Sequence, residues 1–145
     1  MYSTIVLALD GSEGSTRAIP VAEGYARREG ARIVVAHART HALETAMEDT
    51  LHAHVEHLSR SGIETSIIVR DSLFGDEAQM IAEVAREAEA ELIVIASRGR
   101  GPFAGAVLGS TTQRLLPIAV CPVLVVPGGY TGQTVEAADS SAIEA

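Results

Sequence analysis

The residues best suited to chemistry lie in two glycine-punctuated stretches. The longer, residues 96–112, reads ASRGRGPFAGAVLGSTT and follows an apolar run. Its glycines permit positive φ and let a ligand approach backbone N–H groups closely. Ser110 is a good helix N-cap, and a helix start offers N–H groups that suit a phosphate. Ser110 and Thr111 add hydroxyls, and Arg98 and Arg100 add cations in an otherwise acidic chain. The same features would serve a plain βα connection whose serine caps a helix, so spacing alone leaves phosphate binding and simple punctuation evenly matched. The shorter stretch, residues 10–15 (DGSEGS), is not the GxGxxG dinucleotide fingerprint. The Asp10 carboxylate would repel a phosphate but accept hydrogen bonds from ribose hydroxyls or an adenine amino group. Its other possible role, shared with Ser12, is to cap the next helix; that role competes more strongly for Ser12.

Other candidates are weaker. His52, His54 and His57 fall on one helical stretch with His41 nearby, and His54 and His57 share a face, a spacing that could hold a metal. No cysteine joins them, and a solvated helix face is the favoured reading; no metal is expected. His37 ends an apolar run and reads as a satisfied core histidine. Cys121 reads as a small core residue with no acid–base partner. Asp76 and Glu77 suit the dipole of a helix start. All eleven basic residues are arginines. Without lysine, the Walker loop, the kinase lysine and Schiff-base chemistry are excluded. No nucleophile–base–orienter set is visible, so any hydrolysis of a bound phosphate ligand would be slow and would rest on metal and backbone amides.

Five apolar runs must position these residues: 4–9 (TIVLAL), 33–37 (IVVAH), 65–69 (TSIIV), 92–96 (LIVIA) and 123–126 (VLVV). They are continuous and rich in Val and Ile, as strands buried on both faces are. Helical periodicity fills the intervals over 15–29, 43–59, 76–90 and 110–120. Gly30 and Gly62 follow the first two helices, where left-handed caps are expected. Pro20 is tolerable only near a first turn, and Pro117 should bend or end the last helix early. The alternation predicts an α/β fold, a doubly wound five-stranded parallel sheet of order 3-2-1-4-5. Ligands of such sheets sit beyond the strand carboxyl ends where the order reverses. Both glycine-punctuated stretches meet there.

The chain has 145 residues, 47% of them hydrophobic, enough for one domain with a real core. The net charge of −8 and the lack of a basic run disfavour nucleic acid and anionic membranes. No apolar run approaches the roughly 20 residues of a membrane span. The start, MYSTIVLALD, is no signal peptide, and the single cysteine cannot form an internal disulfide, so a cytoplasmic protein is expected. A domain over 1–127 is expected, followed by a flexible tail over 128–145.

TIVLALDGSEGS, LIVIASRGRGPFAGAVLGSTTQRLL and CPVLVVP, in this order and spacing, resemble the universal stress protein family over residues 2–127. ATP-binding members of that family, whose fold is that of the adenine nucleotide alpha hydrolases, carry Gly-x2-Gly-x9-Gly-Ser/Thr after strand 4. Gly99, Gly109 and Ser110 match; the first glycine position holds Ala96. The resemblance implies that Ala8 and Leu9 line a base pocket, that Asp10 faces ribose or adenine, and that the Ala38 backbone meets the adenine edge. It implies that Arg98 and Gly99 contact ribose or phosphate, and that Gly109, Ser110 and Thr111 hold the outer phosphates. The implied ligand is ATP with Mg2+, or AMP or cAMP, held by a stress-response regulatory module. A homodimer paired through Val123–Val126 is also implied, and an apolar edge strand of that kind needs cover; the tail could supply it instead. Ala96 is the feature favouring the alternative, a dimeric stress or interaction protein of the same family that holds no ATP. A phosphoacceptor receiver fails for want of a lysine and an acidic pair, a flavodoxin for want of aromatics (3%), and an SGGxDS-type adenylating enzyme for want of its loop.

Overall fold

Strands whose residues are apolar at every position must be covered on both faces. Strand β1 (Thr4–Ala8) is buried at all five positions, and β4 (Leu92–Ala96) at its first four. The computed structural model describes residues 3–10, 14–39, 45–72, 76–97 and 108–130. In it β1, β2 (Arg32–Arg39), β3 (Thr65–Asp71), β4 and β5 (Val123–Val126) form one parallel sheet of order β3-β2-β1-β4-β5. The expected order is therefore the observed one. Helices α1 (Ala18–Glu29) and α2 (Thr45–Arg60) cover one face, over Ile5, Leu7, Ile33, Val35 and Val94. Helices α3 (Glu77–Glu87) and α4 (Ser110–Leu115) cover the other, over Val6, Ala8, Val34, Ala36, Ile93 and Ile95. No helix among the described residues is long and apolar enough to cross a membrane.

Several boundaries differ from those read in the sequence, each for a local reason. A 3-10 turn, Gly14–Arg17, leads into α1. Pro20 consequently lies in the first α-turn, where its missing N–H has no helical acceptor to lose. Gly30 caps α1 at φ 66°, and Gly62 takes φ 89° after α2, both as expected. α3 stops without a glycine, and Glu89 itself takes φ 53°. α4 ends at Leu115 rather than 120, because the Pro117 ring would clash with the preceding turn and has no N–H to give it. β2 and β3 run past their apolar cores, since Arg39 and Asp71 are register partners and pair with each other.

Candidate functional site

The strand register brings most of the singled-out residues to one edge. Ala8 lies opposite Ala36 in β2 and Ile95 in β4. Continuing the register puts Asp10 level with Ala38, and Leu9 level with Ala96. To one side of β1 lie β2 and β3, to the other β4 and β5, so this edge is the reversal of the strand order, beyond which doubly wound sheets take their ligands. Alanine at three of these exits keeps side-chain bulk low. Ala8 packs into the α3/α4 core and Leu9 into the α1/α2 core. Ala38 and Ala96 are half-buried. Asp10 is half-buried and already makes a polar or electrostatic contact. Ser12, Arg98, Gly99 and Arg100 lie outside the described residues, as do His41 and residues 131–145.

The backbone at the β2 exit is unusual. Odd-numbered residues of β2 serve β3: Ile33 N–H donates to Glu64 O (2.9 Å) and Ser72 N–H to Arg39 O (2.9 Å). Even-numbered residues therefore face β1, and Leu9 N–H donates to Ala36 O at 3.1 Å. The next rung would join Ala38 N–H to the Leu9 carbonyl. Instead His37 Nδ1 lies 2.9 Å from that carbonyl oxygen, with its ring 1% exposed. A carbonyl only accepts, so Nδ1 carries the hydrogen. Among the described residues no backbone carbonyl accepts the Ala38 N–H. His37 is thus the satisfied core histidine the sequence suggested, and its contact reaches the residue before Asp10.

On the other side of Ala38, Arg39 ties three elements together. Its Nε donates to Asp71 Oδ1 at 2.7 Å and its Nη1 to Glu48 Oε1 at 2.9 Å. The Asp71 hydrogen bond, then that of Glu48, raises the guanidinium pKa; the Arg39 hydrogen bond lowers that of Asp71. Sequence reasoning passed over this cluster. The usable signal was that two opposite charges close the apolar runs of neighbouring strands.

At the start of α4 the expectation needs one correction. Gly109, extended at φ −62° and ψ 155°, is the N-cap, and no side chain caps it; Ser110 is the first helical residue. Glycine's extended backbone leads in, so the exposed Ser110 hydroxyl is not used as a cap. The first helical bond runs from Gln113 N–H to Gly109 O at 3.0 Å. The N–H groups of Ser110, Thr111 and Thr112 therefore have no acceptor within the helix. Gln113 Nε2 donates to Leu108 O at 2.8 Å, holding the approach, while Thr112 and Leu115 are buried and anchor the turn. Across the sheet, buried Ser97 continues the β4–β5 ladder, its N–H donating to Val126 O at 2.8 Å. Six residues give little helix dipole, so amides and hydroxyls, rather than a macrodipole, are what α4 can offer an anion.

Elsewhere the chemistry is sparse. His52 and His57 are exposed, and His57 Nε2 lies 3.5 Å from Glu23 Oε2. His54 departs from a solvated face: it is half-buried, its Nε2 is buried with no partner among the described residues, and burial, then the neighbouring His57, lowers its pKa. Burial alone raises the Cys121 pKa. Among the described residues no group of three His, Cys, Asp or Glu could hold a metal ion. A shallow cleft at the amino ends of the strands is lined by Arg27, Arg32, Gly62 and Glu64, away from the strand exits. Its arginines are engaged, Arg27 with Glu23 and Arg32 with Thr4.

A parallel sheet of order β3-β2-β1-β4-β5 with helices on both faces defines the class of doubly wound α/β proteins. Within it, residues 1–127 match the Universal stress protein family, and the chain belongs to that family. A universal stress protein of Thermus aquaticus, from the QAH/OAS sulfhydrylase 3' region, is 35% identical over 136 residues, covering 87% of this chain and 99% of that one. A universal stress protein solved in complex with cAMP is 26% identical with a TM-score of 0.65, covering 88% of this chain and 98% of that one. A universal stress protein of Archaeoglobus fulgidus in complex with dAMP shares the fold, with 22% identity and a TM-score of 0.66, covering 87% and 98% of the two chains.

Proposed function

We propose that this chain is a regulatory module of the stress response that holds an adenine nucleotide in the crevice beyond β1, β2 and β4. The observation that carries the reading is the Ala38 peptide, level with Asp10 at the sheet reversal, whose N–H meets no backbone carbonyl among the described residues. Its N–H suits adenine N1 and its C=O the 6-amino group. Guanine offers the opposite pattern at the six position, an acceptor oxygen. Asp10 suits the ribose hydroxyls. Gly109, Ser110 and Thr111 are assigned to the outer phosphates, and Arg98 and Gly99 of the preceding loop to ribose or phosphate. The ligand is ATP with Mg2+, or AMP or cAMP; the cAMP complex of a 26% identical relative supports the adenine base. The residues suit holding a nucleotide rather than turning it over. The protein acts as a homodimer paired through Val123–Val126, beside the exposed Leu116, Ile118 and Val120.

A second reading, a dimeric family member that holds no ATP, is favoured by Ala96 in the first glycine position of the phosphate loop. Calorimetric titration with ATP and Mg2+ separates the two, using wild type, Gly109→Val and Asp10→Ala. Binding by wild type that both variants weaken is expected. No heat and no thermal shift at saturating ATP refutes nucleotide holding and leaves the second reading. Light scattering is expected to show a dimer that Ile118→Glu with Val120→Glu disrupts; a wild-type monomer refutes the strand pairing.

A further inference from the structure

We infer that His37 is a positioning residue that sets the base selectivity of the crevice; the inference rests on the adenine-binding reading above. The Leu9 carbonyl is the group that the β1–β2 ladder would next give to Ala38, and His37 Nδ1–H takes it at 2.9 Å. The ladder therefore stops at Leu9 N–H to Ala36 O, and among the described residues no backbone carbonyl takes the Ala38 N–H. Arg39, tied to Asp71 and Glu48, holds the strand just beyond, so the Ala38 peptide is braced on both sides. A rigid donor and acceptor side by side read adenine and reject a base with a protonated N1 and a six-position oxygen. Without the histidine, Leu9 O and Ala38 N–H are free to pair, and the donor that reads N1 is lost. Burial of the ring at 1% exposure keeps water from taking its place.

The experiment titrates wild type, His37→Leu and His37→Asn with ATP and with ITP, whose hypoxanthine carries the rejected pattern, and follows thermal unfolding in parallel. Asparagine places its amide nitrogen at the same remove from Cβ as Nδ1, so it retains the donor. Wild type is expected to prefer ATP by about tenfold or more, the scale of one hydrogen bond made against one left unmade. His37→Leu should collapse that ratio to near unity, and His37→Asn should restore it. A merely structural histidine would lower Tm and weaken both nucleotides alike with the ratio unchanged, and that result overturns the inference. If His37→Leu does not fold, nitrogen NMR of the wild-type ring decides: a protonated Nδ1 with a rapidly exchanging Ala38 amide supports the inference, and a bare Nδ1 overturns it. Failure of wild type to bind either nucleotide instead defeats the nucleotide reading itself, and the inference falls with it.

Discussion

Truncating Leu115 to alanine should show how α4, and with it the Gly109–Thr111 backbone, is held. The side chain is fully buried against the α3 face of the sheet. The helix has only six residues, so little of its stability can come from its own hydrogen bonds. The change removes about three carbons at ~0.8 kcal/mol each, or ~2.4 kcal/mol, and the residual cavity brings the expected loss to about 3 kcal/mol. Urea unfolding followed by circular dichroism, at one protein concentration, measures it. The neighbouring Leu116→Ala is the control, both changes being compared in the Ile118→Glu, Val120→Glu background so that dimer contacts do not enter: 45% exposed in the single chain, Leu116 should then change stability by no more than about 0.5 kcal/mol. A Leu115→Ala loss below ~1 kcal/mol, or equal losses for the two variants, would refute the seating of α4 described above.

Two further expectations can be checked on the same instruments. Gly30→Ala meets no atom within 4 Å of the new Cβ, yet should cost about 1 kcal/mol, because φ 66° strains any L side chain; a neutral result would mean α1 is not capped there. His54 has a folded pKa below its unfolded 6.5, so the unfolded chain binds the extra proton first. Stability should therefore fall as pH drops from about 6.5 through the folded value. His54→Leu should flatten that limb of a urea midpoint–pH plot, and an unchanged slope would refute the role given to His54.

The sheet was legible because strands buried on both faces leave an unbroken apolar signature, and TIVLA and LIVIA have no other economical reading. The strand ends were less so. Arg32 and Arg39 look like loop residues until their partners are known, and those partners, Thr4, Asp71 and Glu48, come from other elements. Pro117 announced the end of α4, but the choice of Gly109 over Ser110 as cap depends on the direction of the incoming backbone. At the site, the composition of the exits was readable and their connectivity was not. That His37 reaches Leu9 follows from the stagger of two parallel strands and one ring rotation, and neither is written in residue type.

The Arg39 cluster has a consequence for direction. One guanidinium there answers two carboxylates, so this cluster, at the β2–β3 side of the strand exits, itself carries an excess of negative charge. A triphosphate entering the crevice would be repelled from that cluster and pass toward the α4 side, leaving its base beside β2. Such a field gives an asymmetric ligand one favoured heading before any contact forms. Added salt should blunt that heading: it would slow capture of a charged nucleotide while leaving capture of plain adenosine nearly unaffected.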